Sequence, residues 1–295
     1  SSGLRPTVDP PATSTAAFLI ANASVSIQGI SAVIDQSIPY GVYASSSYVT
    51  LSSVAISTAG NLGVYTAGVR ISSWSAISYS TVNVWNAHGV WLDGAFAAVS
   101  YTTANVKHAS FFGLYLTDAD SNTVTGSYLS NQGGDGARLS SGSDGNVITA
   151  STFAANIATA RALYLLGADS NTVTGSYIFN SAGSAAYLDA GSDYNAVSLS
   201  TMYAAGANLY ALYLNGVDSN TITGSYMQNA AGYGAYFNTG SDRNAVSQST
   251  LAVNTASYHA LYLLASDSNT VMGSRIVNLA GSAVYLDAGS EYNAV

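Results

Sequence analysis

The residues of this chain that could do chemistry stand in columns. Acidic side chains recur at Asp120, Asp144, Asp169, Asp193, Asp218, Asp242, Asp267 and Glu291, in steps of 24 or 25 residues. Brought side by side, such a row offers oxygen ligands to calcium, the one cofactor the sequence suggests. The same carboxylates can instead satisfy turn N–H groups. Like charges a few ångströms apart in water repel by only on the order of 1 kcal/mol, so turn chemistry is the preferred reading. Two residues after each acid comes an amide: Asn122, Asn146, Asn171, Asn195, Asn220, Asn244, Asn269 and Asn293. Amides stacked at a fixed spacing can bond to one another and to turn backbone, which makes them a structural ladder rather than reactive groups.

A third column is aromatic: Tyr43, Tyr65, Trp91, Tyr115, Tyr164, Tyr187, Tyr213, Tyr236, Tyr262 and Tyr285, interrupted by Arg138. Outward tyrosine is a good strand former, so ring stacking alone could explain it. A rigid amphipathic strip could also bind carbohydrate or another solenoid; Tyr115 and the six tyrosines after Arg138 are therefore the candidate contact surface. Paired threonines (Thr123/Thr125, Thr172/Thr174, Thr221/Thr223) resemble an ice-binding array, but Val147, Ala196 and Ala245 interrupt it. Mixed chemistry is confined to 70–120, with Arg70, Trp74, Trp85, His88, Trp91, Asp93, Lys107, His108 and Asp118. Placing Leu92 over Leu116 sets His88 opposite Phe112, so His88 and His108 do not stack and the grouping reads as incidental. His259 reads as a loop residue.

These columns need elements to hold them. "DSNTVTGSY" occurs at 120 and again at 169, followed by "DSNTITGSY" at 218 and "DSNTVMGS" at 267, a period of 49 residues. Weaker copies such as "SDYNAVS" lie between, so the unit is a coil of alternately 24 and 25 residues, the signature of a solenoid. Val124, Ile148, Val173, Val197, Ile222, Val246 and Val271 form one inward column; Leu129, Phe153, Ile178, Met202, Met227, Leu251 and Ile276 form another. A third strand, "GARL", "ALYL", "AAYL", "GAYF", precedes each amide, and all three are short period-two runs between Gly, Ser and Asp turns. No single coil buries enough to offset ordering costs of about 1–2 kcal/mol per residue, so the coils must stack. The reading gives about twelve coils: a proline-bearing leader over 1–15, irregular coils over 16–112, and regular coils over 113–295.

Composition sets limits. Charged residues make up 7% of the 295 residues, net charge is −8, and Lys107 is the single lysine. Nucleic acid and anionic membranes call for clustered cations, which are missing. Absent cysteine removes disulfides and thiolate zinc, and no apolar run approaches a membrane span. The Ser/Thr/Gly/Asn/Tyr-rich, acidic surface reads as extracellular or cell-surface, and a chain opening without Met invites the thought of a removed signal peptide.

"SNTITGSYMQNAAGYGAYF" resembles the repeat of right-handed parallel β-helix proteins of the pectate-lyase-like kind, clearly over 113–295 and loosely over 16–112. Serine (Ser127, Ser151, Ser176, Ser200, Ser225, Ser249, Ser274) stands where many members place a second Asn. "GGDG" at 133 is a poor match to calcium-binding nonapeptides. The resemblance implies an all-β solenoid. It also implies that an enzyme of this kind would show clustered carboxylates with a nearby Arg or Lys where the repeat breaks. Finding no such cluster, the reading favours a non-enzymatic, extracellular structural protein: a filament, stalk or adhesin. Its partners would be further copies of itself or surface glycans, and the regular final coil would be its assembly end. The alternative is a carbohydrate-binding module or a polysaccharide lyase or hydrolase.

Overall fold

Alternating apolar residues broken every few positions by Gly, Ser or Asp can pair only as short strands, and here each coil makes three. The computed structural model describes residues 7–8, 10–61 and 63–295; the remainder of the expected leader, residues 1–6 and 9, lies outside the described residues. All pairing is parallel, between a strand and its equivalent one coil on, which builds three sheets of 12, 12 and 11 strands. Sheet A holds runs such as Tyr128–Asn131, sheet B runs such as Ala137–Ser140, and sheet C runs such as Thr123–Thr125. The chain cycles from B through C to A, and no described segment is helical. Pairing already begins at Thr7–Val8, which lies against Ser31–Ala32.

The core is a stack of like on like. Val124, Ile148, Val173, Val197 and Ile222 pair along sheet C, Leu129, Phe153, Ile178 and Met202 along sheet A, and Leu139, Leu165 and Leu188 along sheet B, all buried. Each fully buried side chain of this size contributes about 1.5–3 kcal/mol, and each coil covers the face its neighbour would otherwise expose.

All three corners are locked by side chains. Between sheets B and C the Oδ1 of every ladder Asn accepts a backbone N–H from the coil before, that of Ala97 for Asn122 and that of the preceding Asn for the rest, at 2.6–2.9 Å. Between C and A the Ser127 hydroxyl accepts the Thr102 N–H, and the series continues through Ser151, Ser176, Ser200, Ser225, Ser249 and Ser274. The corner from A to B has a lock that sequence reasoning missed. Asn131, Asn180, Asn229 and Asn278 each donate Nδ2 to two carbonyls of the previous coil and accept a turn N–H on Oδ1. The signal was legible as N-x-x-G in "NQGG", "NSAG", "NAAG" and "NLAG", again 49 residues apart. The glycine is required: a Cβ on Gly183 would come within 2.4 Å of the Ala160 and Ile157 carbonyl oxygens.

Candidate active site on the outer face of sheet B

Sheet B carries the aromatic column, and strand register fixes its membership. The pairings run Tyr43, Arg70, Trp91, Tyr115, Arg138, Tyr164, Tyr187, Tyr213, Tyr236, Tyr262 and Tyr285. Tyr65, expected here, is displaced by Arg70, because Val64–Ser72 is a long strand whose register shifts against Ile38–Ala44. "GVR" at 68, not "GVY" at 63, is the equivalent of "GVWL". The column therefore has two guanidinium groups. A third, Arg161, stands beside it, three residues ahead of Tyr164.

These cations are handled differently. Arg70 donates Nε to Asp93 Oδ2 at 2.9 Å and Nη1 to the Tyr40 hydroxyl at 2.9 Å, and its plane lies 4.2 Å from the Trp91 ring centre. It is a closed ion pair, so Arg70, Trp91 and Asp93 are not the incidental grouping the sequence suggested. Among the described residues the only other ion pair joins Arg243 to Asp218. Arg138 and Arg161 thus have no carboxylate within ion-pair distance. They stack on rings instead, Arg138 over Phe112 at 5.2 Å and Tyr164 at 5.0 Å, Arg161 over Tyr164 at 4.6 Å and Tyr187 at 4.9 Å. Arg138 donates Nε to the Ser140 hydroxyl at 3.1 Å, and stacking leaves the remaining in-plane N–H groups free to meet an anion.

Beside them is Asp135, three residues ahead of Arg138 and only 6% exposed. Its Oδ1 accepts the Arg161 backbone N–H at 2.7 Å. Burial pushes the carboxyl above its ordinary range, outweighing that bond and the two nearby guanidinium charges. Asp135, Arg138 and Arg161 line one cavity of about 240 Å³ with Phe112, Ser110 and Thr159. A buried carboxyl with two guanidinium groups at the same cavity can grip an anionic group and set a proton-accepting oxygen next to it.

An aromatic wall borders this centre. His88 lies 5.0 Å from Phe112, 4.6 Å from Tyr115 and 5.1 Å from Phe111, and its Nδ1 accepts the Phe112 N–H at 3.2 Å. Burial, then the Arg138 charge, pushes its pKa down to about 4, so the ring is neutral near pH 7 with its proton on Nε2. The indole N–H of Trp91 is buried without an acceptor among the described residues. His108 is apart, bonded through Nδ1 to the Ser110 N–H.

Farther along, the column becomes phenolic. Tyr164 and Tyr213 are nearly covered by their neighbours, while Tyr285 is exposed. Tyr164 donates to Asp189 Oδ2 at 2.9 Å, and burial followed by that bond raises its pKa to about 12. Tyr187, Tyr213 and Tyr236 follow at centroid spacings of 4.4 and 5.4 Å. Tyr262 donates to Asp287 Oδ2 at 2.5 Å, and His259 stacks on Tyr285 at 4.8 Å, so it belongs to this face.

The acidic column lies elsewhere, at the corner between sheets B and C. Each Oδ1 from Asp120 to Asp267 accepts the backbone N–H of the next acidic residue at 2.7–3.0 Å, ending at Glu291. Half of the carboxylate oxygens are thereby committed to turn backbone. Among the described residues no three acidic or histidine side chains converge as a metal site.

A chain of three parallel sheets with these ladders is a right-handed β-helix. The family described as "right handed beta helix region" matches residues 16–201, 88–251 and 162–295, and the chain belongs to it. Curated protein sequences give no match. Among solved structures the chain is similar to the Dettilon tailspike protein, with TM-score 0.62 and 13% identity, covering 91% of this chain and 60% of that one. It is similar also to the mannuronan C-5 epimerase AlgE4 A-module of Azotobacter vinelandii, with TM-score 0.59 and 12% identity, covering 97% and 90%. A third is the DFA-IIIase of Arthrobacter chlorophenolicus A6, with TM-score 0.54 and 12% identity, covering 90% and 84%. The chain spans about three fifths of the tailspike's length. At these identities the likeness shows the fold. It does overturn the expectation of a non-catalytic chain: enzymes acting on saccharides stand among the neighbours. Around Asp135 the structure brings together one carboxyl and two guanidinium groups, a grouping the sequence reading did not pick out; it is not the set of clustered carboxylates that reading looked for. No helix among the described residues is long and apolar enough to cross a membrane.

Proposed function

We propose that the protein is an extracytoplasmic, polysaccharide-acting β-helix that lays an acidic glycan along the outer face of sheet B and cleaves it at Asp135, Arg138 and Arg161. The observation that carries the reading is the pair of uncompensated guanidinium groups at the cavity of a buried carboxyl. In a protein of net charge −8 such a site attracts an anionic sugar only through local cations, and here two that no carboxylate neutralises stand together at one cavity. A uronate carboxylate held by both guanidinium groups becomes more electron-withdrawing, which acidifies the adjacent C5–H; ionised Asp135 takes that proton, the C–H electron pair forms the C4–C5 double bond as the C4–O glycosidic bond breaks, and the departing oxygen takes a proton from the Asp135 carboxyl or from water. The part-exposed tyrosines Tyr187, Tyr236, Tyr262 and Tyr285 support the chain's sugar rings beyond the reacting unit.

Epimerases among the fold neighbours support polymeric uronate as the substrate class. The fibrous reading has less support, because a guanidinium–carboxyl centre has no part to play in a rod. The test is to incubate the protein with pectate, alginate and a neutral glucan and to follow unsaturated and reducing ends. Release from an acidic polymer, abolished in Arg138→Ala, is expected; release from the neutral glucan alone would refute the assignment.

A further inference from the structure

Sheet A carries a second feature that the centre on sheet B does not use. Its outward residues pair as Asn83, Asn105, Ser130, Ala154 and Phe179. At the same end of successive strands stand Trp85, Lys107, Gln132 and Asn156. Two cavities open between these rows. One, of about 300 Å³, is lined by Asn83, Trp85, Asn105, Lys107 and Gln132; the other, of about 250 Å³, by Asn105, Tyr128, Gln132, Asn156 and Phe179. Asn105 and Gln132 line both, so the cavities form one trough along the solenoid axis. From Trp85 to the Phe179 coil it crosses five strands, roughly 19 Å.

The lining specifies an occupant. Asn105 Nδ2 donates to Asn83 Oδ1 at 2.7 Å and the Ser130 hydroxyl donates to Asn105 Oδ1 at 2.7 Å, a chain that fixes the amides while leaving Asn83 Nδ2 free of it. Amides that both donate and accept, between aromatic rings at either end, match the hydroxyls and apolar faces of a sugar chain. A peptide adding as a strand needs an unpaired sheet edge, and this trough lies over paired strands. Nucleic acid needs several cations; the trough has one, Lys107, with Nζ 4.9 Å from the Trp85 ring centre. Among the described residues no acidic side chain lines either cavity.

We propose that this trough on sheet A is a second saccharide site, separate from the reaction centre, which takes an unbranched acidic oligosaccharide with one carboxylate or sulfate on Lys107. Such a site would hold the polymer to the solenoid while another stretch of it is processed on sheet B. It rests on the trough's own residues and stands or falls independently of catalysis.

The test is calorimetric titration of the full chain with oligogalacturonate, its sulfated counterpart and a neutral cello-oligosaccharide. The wild type should show two classes of site for the acidic probes. Lys107→Gln should weaken one class about tenfold, the order expected for one charge-assisted hydrogen bond, and Trp85→Ala should do likewise, while Arg138→Ala removes only the other. Preference for uronate or sulfate names the source of the anion. Binding that is unchanged in both Lys107→Gln and Trp85→Ala, with folding verified by melting curves, overturns the second site even if the sheet B reading holds. Binding lost in these variants yet kept in Arg138→Ala supports it even if that reading fails.

Discussion

The outer face of sheet B differs between its two halves. From Arg70 to Arg161 it carries three guanidinium groups, a buried carboxyl, a neutral histidine and a tryptophan; from Tyr187 to Tyr285 its column is tyrosine alone. The sheet beneath is parallel in both halves, and its inward positions are apolar in both. The difference teaches that the repeat supplies a platform, and that chemistry enters where an outward position departs from it. Outward residues cost the core nothing when exchanged, so one half can accumulate reactive groups while the other retains stacked rings.

The largest effect should come from the irregular half. Arg138→Ala with Arg161→Ala is expected to reduce cleavage of acidic polymer by about 100-fold or more, since each charged hydrogen bond is worth about 1.5–3 kcal/mol. Tyr236→Ala with Tyr262→Ala in the regular half should cost less than about tenfold. Steady-state rates on the same polymer check both, and equal losses would erase the distinction between the halves.

Stability should report the ladders next. Asn195→Leu leaves the Asn171 N–H without its acceptor and removes a bond to the Ala168 carbonyl, an expected loss of about 1–3 kcal/mol in denaturant unfolding. Gly183→Ala forces a Cβ against two carbonyls and should cost a similar amount, about 1–3 kcal/mol. A change near zero at 195 would mean that the amide column does not hold the corner.

Much of this frame was legible in the sequence. The 49-residue period, the inward columns and the three strands per coil follow from spacing, because like must stack on like. The site was less legible. Arg70 was hidden because coil spacing varies between 21 and 27 residues before 113, so a motif search for an aromatic found Tyr65 instead. Asp135 lay in "GGDG", weighed only as a poor match to calcium-binding nonapeptides; only folding shows that this segment is covered and that two arginines from adjacent coils line the same cavity. The sheet A trough is built from polar outward residues that alternate as any solvent-facing strand would.

Smaller effects concern protons. His88, held near a pKa of 4, should keep one ring NMR signature from pH 8 to 5; a change centred near 6.5 would contradict its buried, neutral state. Because burial raises the Asp135 pKa, the folded chain holds that proton more tightly than the unfolded chain does. Its contribution to stability is full below the unfolded value of 3.8 and is lost as pH rises through the folded value. Asp135→Asn should therefore melt higher than the wild type at pH 7 and show no such gain at pH 3. A lower melting temperature at pH 7 would reverse the assignment.

That variant also gives the most direct test of the central claim. Wild type and Asp135→Asn, matched for folding, are incubated with pectate and alginate while new chain ends are counted. Ends formed by the wild type and none by the variant are predicted. Equal release by both would contradict a reaction centred on Asp135.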